Sequence, residues 1–375
     1  MMSDLKIALV HDWLTGMRGG EKVLEVLCDL YPRAPLYTLL HNKGSVSTVI
    51  ENRDIHTSFI DRLPFKAKRY RNYLPLFPRA IESFDFSGYD LILSTSHAVA
   101  KGALPAPGSL HICYCHTPMR YVWELYDQYF GPGRAGFVTR AAMSYVAPRL
   151  RTWDVAASSR VNAFIANSRN VADRIREYYH TDADVIYPPV NVDQFSVSRE
   201  DDGYYLIVSA LVPYKRVDLA IETFRQTRER LMIVGTGPEL TRLQSSAPPN
   251  IEFLGWQSGT GLAKLYARCR ALIFPGIEDF GIVPLEAMAS GKPVVAFGQG
   301  GALETVVEDP RRGTGVFFYK QTPDALKEAI GKLDDMKLDP QTIRAHAERF
   351  DRRTFKENYR QYVEQKVTSF FPRRD

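Results

Sequence analysis

Cysteines are few in this sequence, and long apolar runs are missing. Four of the 375 residues are Cys, and Cys113 and Cys115 stand in a C-x-C that has no second pair at the spacing of a zinc site. We therefore expect buried thiols in a reducing compartment. No stretch of about 18 apolar residues occurs, and the first residues lack the pattern of a secretory signal. These absences predict a cytoplasmic chain that does not span a membrane.

The sequence also lacks the strong positive bias that is typical of nucleic-acid-binding proteins. Its formal net charge is +5, and 24% of its residues are charged. A surplus this small does not indicate a surface for phosphate backbones, so we expect no nucleic-acid partner.

Short apolar segments alternate with helical patterns along the chain. The pattern restarts at residues 204–211, after the Pro- and Asp-rich segment 187–203. Apolar strands that alternate with helices are typical of parallel sheets covered on both faces, and a chain of this length exceeds one core. We therefore predict an α/β fold with two doubly wound, Rossmann-like domains, 1–190 and 200–350, that face each other across a cleft.

Three loops that follow predicted strands contain residues suited to an anionic ligand. Gly19 and Gly20 precede a helix, where exposed N–H groups favour an anion, although a tight turn explains them equally well. Lys215 and Arg216 lie at a strand-to-helix junction and suit a diphosphate, but by themselves they are better explained as a solvated pair. Gly235 is a third candidate for close backbone approach to a ligand.

The segment Pro275–Val295 contains two glutamates, Glu278 and Glu286, eight positions apart. We expect Pro284 at the first position of a helix and Gly291 just after its end. Glu278 then lies in the loop before the helix, and Glu286 lies in the first turn, where a carboxylate also complements the helix dipole.

Two other functions for this glutamate pair are weaker. The spacing could bring two carboxyl groups to the distance that a glycosidase needs, and carboxylates also bind metal ions. However, the only further acid beside Glu278 is Asp279, which is too few for a metal site. The nearby glycines, cations and helix-end N–H groups of 280–283 favour a phosphate or the hydroxyls of a sugar.

The segment "EDFGIVPLEAMASGKPVV" resembles the E-x7-E signature of retaining glycosyltransferases of family 4, which have the GT-B fold. Other motifs match in the same order: "GGEKV", "HTPMRYVW", "LVPYKRVD", "VGTGPE", "FLGW" and "GGALETV". Together they cover about residues 6–310. The sequence is most similar to O-antigen and exopolysaccharide mannosyltransferases of bacteria.

The resemblance implies roles for residues of the second domain, which would bind the nucleotide-sugar donor. Glu278 would hold the hydroxyls of the donor sugar, and Glu286 would accept hydrogen bonds from the ribose. Lys215 would stabilise the departing diphosphate. The residues whose backbone N–H groups would bind sugar and phosphate are Phe280, Gly281, Ile282 and Val283.

In the first domain, which would bind the acceptor, the resemblance implies that Gly19 and Gly20 cap the diphosphate and that His116 contacts the donor sugar. A C-terminal helix at about 350–375 would pack back on this domain. The implied reaction transfers a hexose with retention, from GDP-mannose to a lipid-linked saccharide, and requires neither a metal nor another cofactor. The alternatives are a sugar-nucleotide hydrolase or epimerase and a non-catalytic binding module of the same fold.

One departure from the family pattern concerns the phosphate site. Ala210 stands where the family usually has Arg, and Arg216 stands where a glycine usually follows the lysine. We expect Arg216, or else Arg120, to supply the missing positive charge.

The segment 62–79, "RLPFKAKRYRNYLPLFPR", combines basic and aromatic residues and has no acid. We expect Lys66, Lys68, Arg69 and Arg71 to bind lipid headgroups, which would place the protein peripherally on the cytoplasmic face of the inner membrane. The alternative is a solvated helix whose aromatic side chains pack inward.

Overall fold

The computed structural model describes residues 4–133 and 136–371, and the chain forms two compact units. The first unit comprises Met1–Pro189 and Phe355–Asp375, and the second comprises Val190–Thr354. The last four residues of the expected C-terminal helix, 372–375, lie outside the described part.

The first unit alternates strands and helices. Its elements, in chain order, are β1 (Ile7–His11), α1 (Gly19–Leu30), β2 (Leu36–Thr38), α2 (Thr48–Glu51), β3 (Ile55–Thr57), α3 (Lys66–Arg69), α4 (Phe77–Glu82), β4 (Leu91–Ser96), β5 (Leu110–Cys115), α5 (Tyr126–Phe130), α6 (Phe137–Ser158), β6 (Ala163–Ala166), α7 (Arg169–Tyr179) and β7 (Ala183–Val185).

The sheet of the first unit has seven parallel strands in the order β3-β2-β1-β4-β5-β6-β7. Successive side chains of β1 enter opposite cores, because Ala8 and Val10 pack in one apolar cluster and Leu9 packs in another. The sheet is therefore covered on both faces, as its apolar strands predict. The strand order reverses between β1 and β4, so the loops after these two strands meet at one edge.

Helix α1 follows β1 directly and buries one face on the sheet. Val23, Leu24 and Leu27 are fully buried, and each contributes about 1.5–3 kcal/mol relative to an exposed side chain. The carboxylate of Glu21 accepts the N–H of Arg18 at 3.0 Å, which satisfies one donor at the start of the helix. This packing fixes the position of the glycines at its first turn.

The second unit repeats the alternation. Its elements are β8 (Tyr204–Val208), α8 (Val217–Thr227), β9 (Arg230–Val234), α9 (Leu240–Ser246), β10 (Ile251–Gly255), α10 (Gly259–Arg268), β11 (Ala271–Phe274), α11 (Ile282–Ala289), β12 (Val294–Phe297), α12 (Ala302–Thr305), β13 (Gly315–Phe318), α13 (Pro323–Asp334) and α14 (Pro340–Glu348). A last helix, α15 (Arg352–Phe370), runs from its fourth residue in the first unit.

The sheet of the second unit has six parallel strands in the order β10-β9-β8-β11-β12-β13. Here the order reverses between β8 and β11, which are hydrogen-bonded neighbours. The prediction of two doubly wound α/β units is therefore confirmed, and each unit has one reversal point where ligand-binding loops are expected.

Helix α15 packs against the sheet of the first unit. Phe355, Tyr359, Val363 and Val367 recur every four residues and are buried in the same cluster as Leu9. This spacing places them on one helical face. The helix therefore completes the apolar core of the first unit, although it lies far from that core in sequence.

The four cysteines are buried and form no disulfide, as the sequence predicts. Burial raises the pKa of the Cys113 thiol to about 12, so it remains a neutral apolar group. No helix in residues 4–133 and 136–371 is both long enough and apolar enough to cross a bilayer.

Candidate active site

In the second unit, the loops after β8 and β11 meet where the strand order reverses. The first carries Lys215 and Arg216, and the second carries Glu278. Open parallel sheets bind ligands at such a reversal point, beyond the carboxyl ends of the strands.

Lys215 contacts Glu278 directly. The Nζ atom of Lys215 forms an ion pair with Oε1 of Glu278, and the two side chains are 12% and 22% exposed. Sequence reasoning placed these residues in separate loops, 63 positions apart, and the pairing of β8 with β11 brings them together. The site thus presents a cation and a carboxylate side by side in a partly dehydrated position, where charges interact more strongly than in water.

A close approach of the two loops explains the glycine that follows the β11 strand. A Cβ on Gly276 would come within 2.7 Å of the Lys215 Cα and 2.9 Å of the Tyr214 carbonyl oxygen. No side chain fits in that space. Gly276 is therefore required to bring the backbone of the lysine loop against the glutamate loop.

Two further glycines support the Glu278 loop. The N–H of Gly301 donates to the carbonyl oxygen of Glu278 at 2.9 Å, and Gly300 forms a β-bridge with Glu278. A Cβ on Gly301 would lie 2.2 Å from the Phe280 Cα. The "GGALETV" motif therefore holds the loop that carries Glu278 in position.

Helix α11 begins two residues earlier than expected. Its first residue is Ile282, and Gly281 forms its cap with φ 97°, so the prediction of Pro284 at the first helical position is wrong. Proline is tolerated at the third position because the residue four before it, Phe280, lies outside the helix. Glu286 consequently lies in the second turn rather than the first, where its effect on the helix dipole is small.

The predicted end of this helix is confirmed, because Ser290 is its C-terminal cap and Gly291 follows with φ 74°. At the other end, the first N–H groups of any helix have no partner inside it. In α11 these belong to Ile282 and Val283, since Pro284 has none. The binding roles of Phe280–Val283 stay predictions.

Glu286 is buried, and its Oε2 accepts a hydrogen bond from the hydroxyl of Tyr266 on α10 at 3.0 Å. Burial, together with the adjacent Glu286 carboxylate, holds the pKa of Tyr266 well above its usual value. The phenol therefore stays protonated and donates. Tyr266 is a residue that sequence reasoning missed, because nothing in the sequence shows that α10 and α11 are adjacent.

Arg216 adopts a left-handed backbone conformation, with φ 52° and ψ 37°. Glycine is the residue that occupies this region without strain, and other residues pay about 1–2 kcal/mol. The geometry explains why the family pattern has glycine here. The guanidinium donates to Gln321 at 2.7 Å and to Asp218 at 3.3 Å, and its role in phosphate binding stays a prediction. Ala210 is exposed.

The structure gives Gly235 a role in packing. Its φ is 138°, and a Cβ there would lie 1.8 Å from the carbonyl oxygen of Ser209. The loops after β8 and β9 are therefore too close for any side chain at this position. Close backbone approach to a ligand is not needed to explain this glycine, and such a role stays a prediction.

In the first unit, the predicted residues Gly19 and Gly20 are the first two residues of α1, and His116 follows β5. A Cβ on Gly20 would lie 3.5 Å from Cε1 of His11 and 3.6 Å from Nε2 of His116. These glycines and His116 thus share one site at the sheet edge. A further histidine, His97, follows β4 and lies with its ring centroid 6.4 Å from that of His116.

Burial holds the imidazole of His116 neutral. Burial, followed by the charges of His97 and His11, lowers the pKa of His116 well below its usual value. The Nε2 atom of His116 is buried and has no hydrogen-bond partner among the described residues. Sequence reasoning missed His11 and His97, although both stand at the carboxyl ends of apolar strands.

The basic segment 62–79 divides between core and surface. Tyr70, Leu74 and Phe77 are buried in the first unit, as the inward-packing alternative predicts. Phe65 is 73% exposed, and the guanidinium of Arg69 lies 5.7 Å from its ring centroid.

The basic side chains of this segment have different environments. Lys66 pairs with Asp61, which directly precedes the acid-free stretch, and donates to the His41 carbonyl oxygen at 3.2 Å. Arg71 lies over the Tyr70 ring at 5.2 Å. The side chain of Lys68 lies outside the described part of the structure.

Within residues 4–133 and 136–371, no group of three or more His, Cys, Asp or Glu side chains could hold a metal ion.

Comparison with known folds and sequences defines the class of protein. The fold matches that of HepE from Anabaena, solved in complex with UDP and glucose, with a TM-score of 0.69 at 18% identity over 96% of this chain and 99% of the other. It also matches a sucrose-phosphate synthase from Thermosynechococcus elongatus, with a TM-score of 0.73 at 16% identity over 96% and 100%. Both likenesses concern the fold, which is the GT-B fold.

Two family descriptions match successive parts of the sequence: "Glycosyltransferase Family 4" over residues 25–194 and "Glycosyl transferases group 1" over residues 191–352. The chain belongs to glycosyltransferase family 4. An uncharacterized glycosyltransferase of Methanocaldococcus jannaschii is 30% identical over 182 residues, which are 47% of this chain and 51% of that protein. The O-antigen chain mannosyltransferase RfbU of Salmonella typhimurium is 31% identical over 140 residues, 34% of this chain and 40% of RfbU. The chain spans about half the length of the first curated relatives that it matches.

Proposed function

We propose that this protein is a retaining glycosyltransferase that transfers mannose from GDP-mannose to a lipid-linked saccharide during the synthesis of a bacterial surface polysaccharide. The observation that carries the proposal is the ion pair between Lys215 and Glu278 at the reversal point of the second sheet. The similarity to RfbU, and to the human α-1,3/1,6-mannosyltransferase ALG2 at 31% identity over 210 residues, supports mannose as the sugar.

In this proposal the second unit binds the donor. The reaction breaks the bond between the anomeric carbon and the diphosphate, so negative charge develops on the leaving group. Lys215 and the first N–H groups of α11 stabilise that charge. Glu278 holds the sugar hydroxyls, and Glu286 holds the ribose.

The first unit binds the acceptor in this proposal, with Gly19 and Gly20 capping the diphosphate and His116 contacting the sugar. The acceptor hydroxyl attacks the face that the diphosphate leaves, so configuration is retained. The departing phosphate takes the proton of that hydroxyl.

A donor-binding experiment separates the proposal from a different nucleotide specificity. We expect GDP-mannose to raise the melting temperature most, followed by UDP-glucose, because a ligand that binds the folded state stabilises it more at a given concentration when its affinity is higher. A larger shift with UDP-glucose would contradict the choice of donor, and no shift with either compound would contradict the glycosyltransferase proposal.

The Lys215→Met variant tests the mechanism. We expect the transfer rate to fall about 10²- to 10³-fold, as when one stabilising group for a developing charge is removed. Lys327→Met, on the exposed face of α13, is the matched control and should leave the rate unchanged. An unchanged rate in Lys215→Met would contradict the assigned role.

A hydrolase or epimerase is the second candidate, and the products distinguish it. A hydrolase releases mannose from GDP-mannose at its full rate without any acceptor, and an epimerase changes the sugar configuration. The proposed transferase instead requires saccharide lipids extracted from the organism that encodes the chain. A non-catalytic module would bind the donor and change nothing.

We further propose that the protein associates peripherally with the cytoplasmic face of the membrane through Phe65 and the basic side chains around it. The exposure of Phe137 and Val138 at the start of α6, 82% and 79%, adds a second apolar contact in the same unit. The four buried cysteines form no disulfide, which is consistent with a reducing compartment.

Co-sedimentation with vesicles tests this proposal. Binding to vesicles that contain phosphatidylglycerol should weaken as salt rises and should exceed binding to pure phosphatidylcholine vesicles. Phe65→Ser should weaken it, whereas Tyr319→Ser, which removes an exposed aromatic side chain of the second unit, should not. No binding at low salt would contradict the proposal.

A further inference from the structure

The buried Asp12 and the partly exposed His97 form a polar pair at the reversal point of the first sheet. Asp12 follows β1, and His97 follows β4. These strands pair in parallel, with His11 opposite Thr95. The two residues therefore meet at the carboxyl edge where doubly wound sheets bind ligands, and the proposed mechanism assigns a role to neither.

The Asp12 carboxylate fixes the loop that carries the histidine. Its Oδ2 accepts the N–H groups of His97 at 2.6 Å and Ala98 at 3.0 Å, and its Oδ1 accepts those of Val99 at 2.6 Å and Ala100 at 2.8 Å. Burial alone would raise the pKa of Asp12, but the neighbouring His97 and His11 and these N–H groups lower it. The carboxylate is therefore ionised and fully enclosed.

The same carboxylate determines which nitrogen of His97 carries the proton. The Nδ1 atom lies 3.0 Å from Oδ2 of Asp12. A bare nitrogen lone pair at that distance would be repelled by the carboxylate oxygen, so Nδ1 is protonated. Burial lowers the pKa of His97, so the ring is neutral. A neutral ring with a proton on Nδ1 has a lone pair on Nε2.

The ring of His97 is held in one orientation. Trp13 meets it edge to face with ring centroids 4.5 Å apart, and Asp12 holds its Nδ1 edge. The side chain is nevertheless 25% exposed, whereas Asp12 has no exposed surface. A fixed, partly exposed hydrogen-bond acceptor is a favourable arrangement for binding a donor group, because little entropy is lost.

The surroundings of His97 select the kind of donor. The charged or titratable groups that act on it are Asp12, His11, Glu21 and Arg120, and His116 lies beside it. The carboxylate behind the ring disfavours an anion at Nε2, and Arg120 disfavours a cation. A neutral hydroxyl group fits both conditions.

We propose that His97 is an acceptor-binding residue of the first unit, whose Nε2 accepts a hydrogen bond from a hydroxyl group of the acceptor saccharide while Asp12 fixes the tautomer. The inference rests on the proposed function, because it requires that a saccharide acceptor binds this unit. Asp12 is a positioning residue in this arrangement.

Histidine tautomers can be measured without any substrate. In a protein labelled with ¹⁵N-histidine, we expect His97 to give the two-bond couplings of a neutral ring with a proton on Nδ1, and its signal is assigned by its loss in His97→Gln. A proton on Nε2 at neutral pH would overturn the proposal. Retention of the Nδ1 tautomer supports it.

Two substitutions at position 97 separate binding from structure. His97→Asn keeps an amide N–H near the position of Nδ1 but has no atom at Nε2, whereas the oxygen of His97→Gln can reach that position. With GDP-mannose and the saccharide lipids, we expect kcat/KM for the acceptor to fall about tenfold in His97→Asn, mainly through KM, and less in His97→Gln. The melting-temperature shift with GDP-mannose should stay at the wild-type value.

His56→Asn is the matched control, because His56 pairs with Asp54 at 3.1 Å on the exposed surface of the same unit. His56→Asn should leave both kcat/KM for the acceptor and the melting-temperature shift with GDP-mannose unchanged. Wild-type kinetics in His97→Asn would overturn this inference alone, and so would a loss of donor binding together with acceptor binding. Absence of donor binding and transfer in the wild-type protein would instead contradict the proposed function.

Discussion

A single added methyl group on Gly301 should disable the proposed transfer reaction without unfolding the protein. The Cβ of an alanine there would lie 2.2 Å from the Phe280 Cα, 2.4 Å from the Phe280 carbonyl oxygen and 2.6 Å from the Asp279 carbonyl oxygen. All three are backbone atoms, so no rotamer change can relieve the overlap. The loop that carries Glu278 has to move away from α12.

The size of the effect follows from these distances. Contacts of a Cβ below 3.0 Å are essentially never tolerated, so the loop must shift by about 0.8 Å or more, and a displacement near 1 Å can cost about 10²-fold in rate. The overpacking costs about 1–3 kcal/mol of unfolding free energy. In a unit of this size, that corresponds to a melting temperature lower by about 2–4 °C per kcal/mol.

The assay is the initial rate of the proposed mannose transfer at saturating GDP-mannose, with the melting temperature measured in parallel. Gly331→Ala is the matched control, since a Cβ at this exposed position of α13 meets nothing within 4 Å. It should leave the rate unchanged and stabilise the helix by about 1 kcal/mol. A Gly301→Ala protein with the wild-type rate would refute the role of Gly301 in positioning the Glu278 loop.

Three further predictions concern buried groups. Tyr266→Phe removes the hydroxyl that donates to Glu286 and should weaken binding of GDP, the nucleotide of the proposed donor, about tenfold by calorimetry; unchanged affinity would mean that this bond does not orient the carboxylate. Burial lowers the pKa of His111 to about 4 from a usual value near 6.5. Neutral His111 therefore contributes on the order of 3 kcal/mol to the free energy of unfolding above pH 6.5, and this contribution is lost as the pH falls to about 4. The free energy of unfolding in urea, measured at pH 7 and at pH 5, should change less in His111→Gln than in the wild-type protein. An equal change in both proteins would contradict this assignment to His111. Lys101→Met removes the cation beside the buried carboxylate of Asp154 and should lower the free energy of unfolding by about 3–5 kcal/mol, with a smaller loss when Asp154→Asn is added. Additive losses of the two substitutions would mean that the pair is uncoupled.

The sequence predicts the sheets well because their signal is local. Strands such as Leu110–Cys115 are buried on both faces, so they read as continuous apolar segments regardless of what surrounds them. The start of α11 is less predictable. Proline is most frequent at the first helical position, but here Gly281 takes a left-handed conformation that caps the helix earlier, and nothing in the sequence distinguishes the two arrangements.

The contacts of the candidate site could not be predicted in the same way. Asp12 and His97 are 85 positions apart, and the ion pair of Lys215 with Glu278 joins two loops of different strands. Each contact depends on strands that are neighbours in the sheet but not in sequence. The general rule that ligand loops follow parallel strands indicates where to look, while the partner of each side chain follows from strand order alone.

The loop glycines require different explanations, although their motifs look alike. Gly235, Gly276 and Gly301 lie so close to neighbouring backbone that a Cβ would overlap it, so the fold itself accounts for them. Gly20 differs, because a Cβ there would meet only the tips of His11 and His116 at ordinary contact distances. The folded unit has room for a side chain at Gly20, and packing therefore does not require glycine there. Of these four positions, Gly20 is the one that packing does not explain, so its assignment depends on the proposed role in capping the diphosphate.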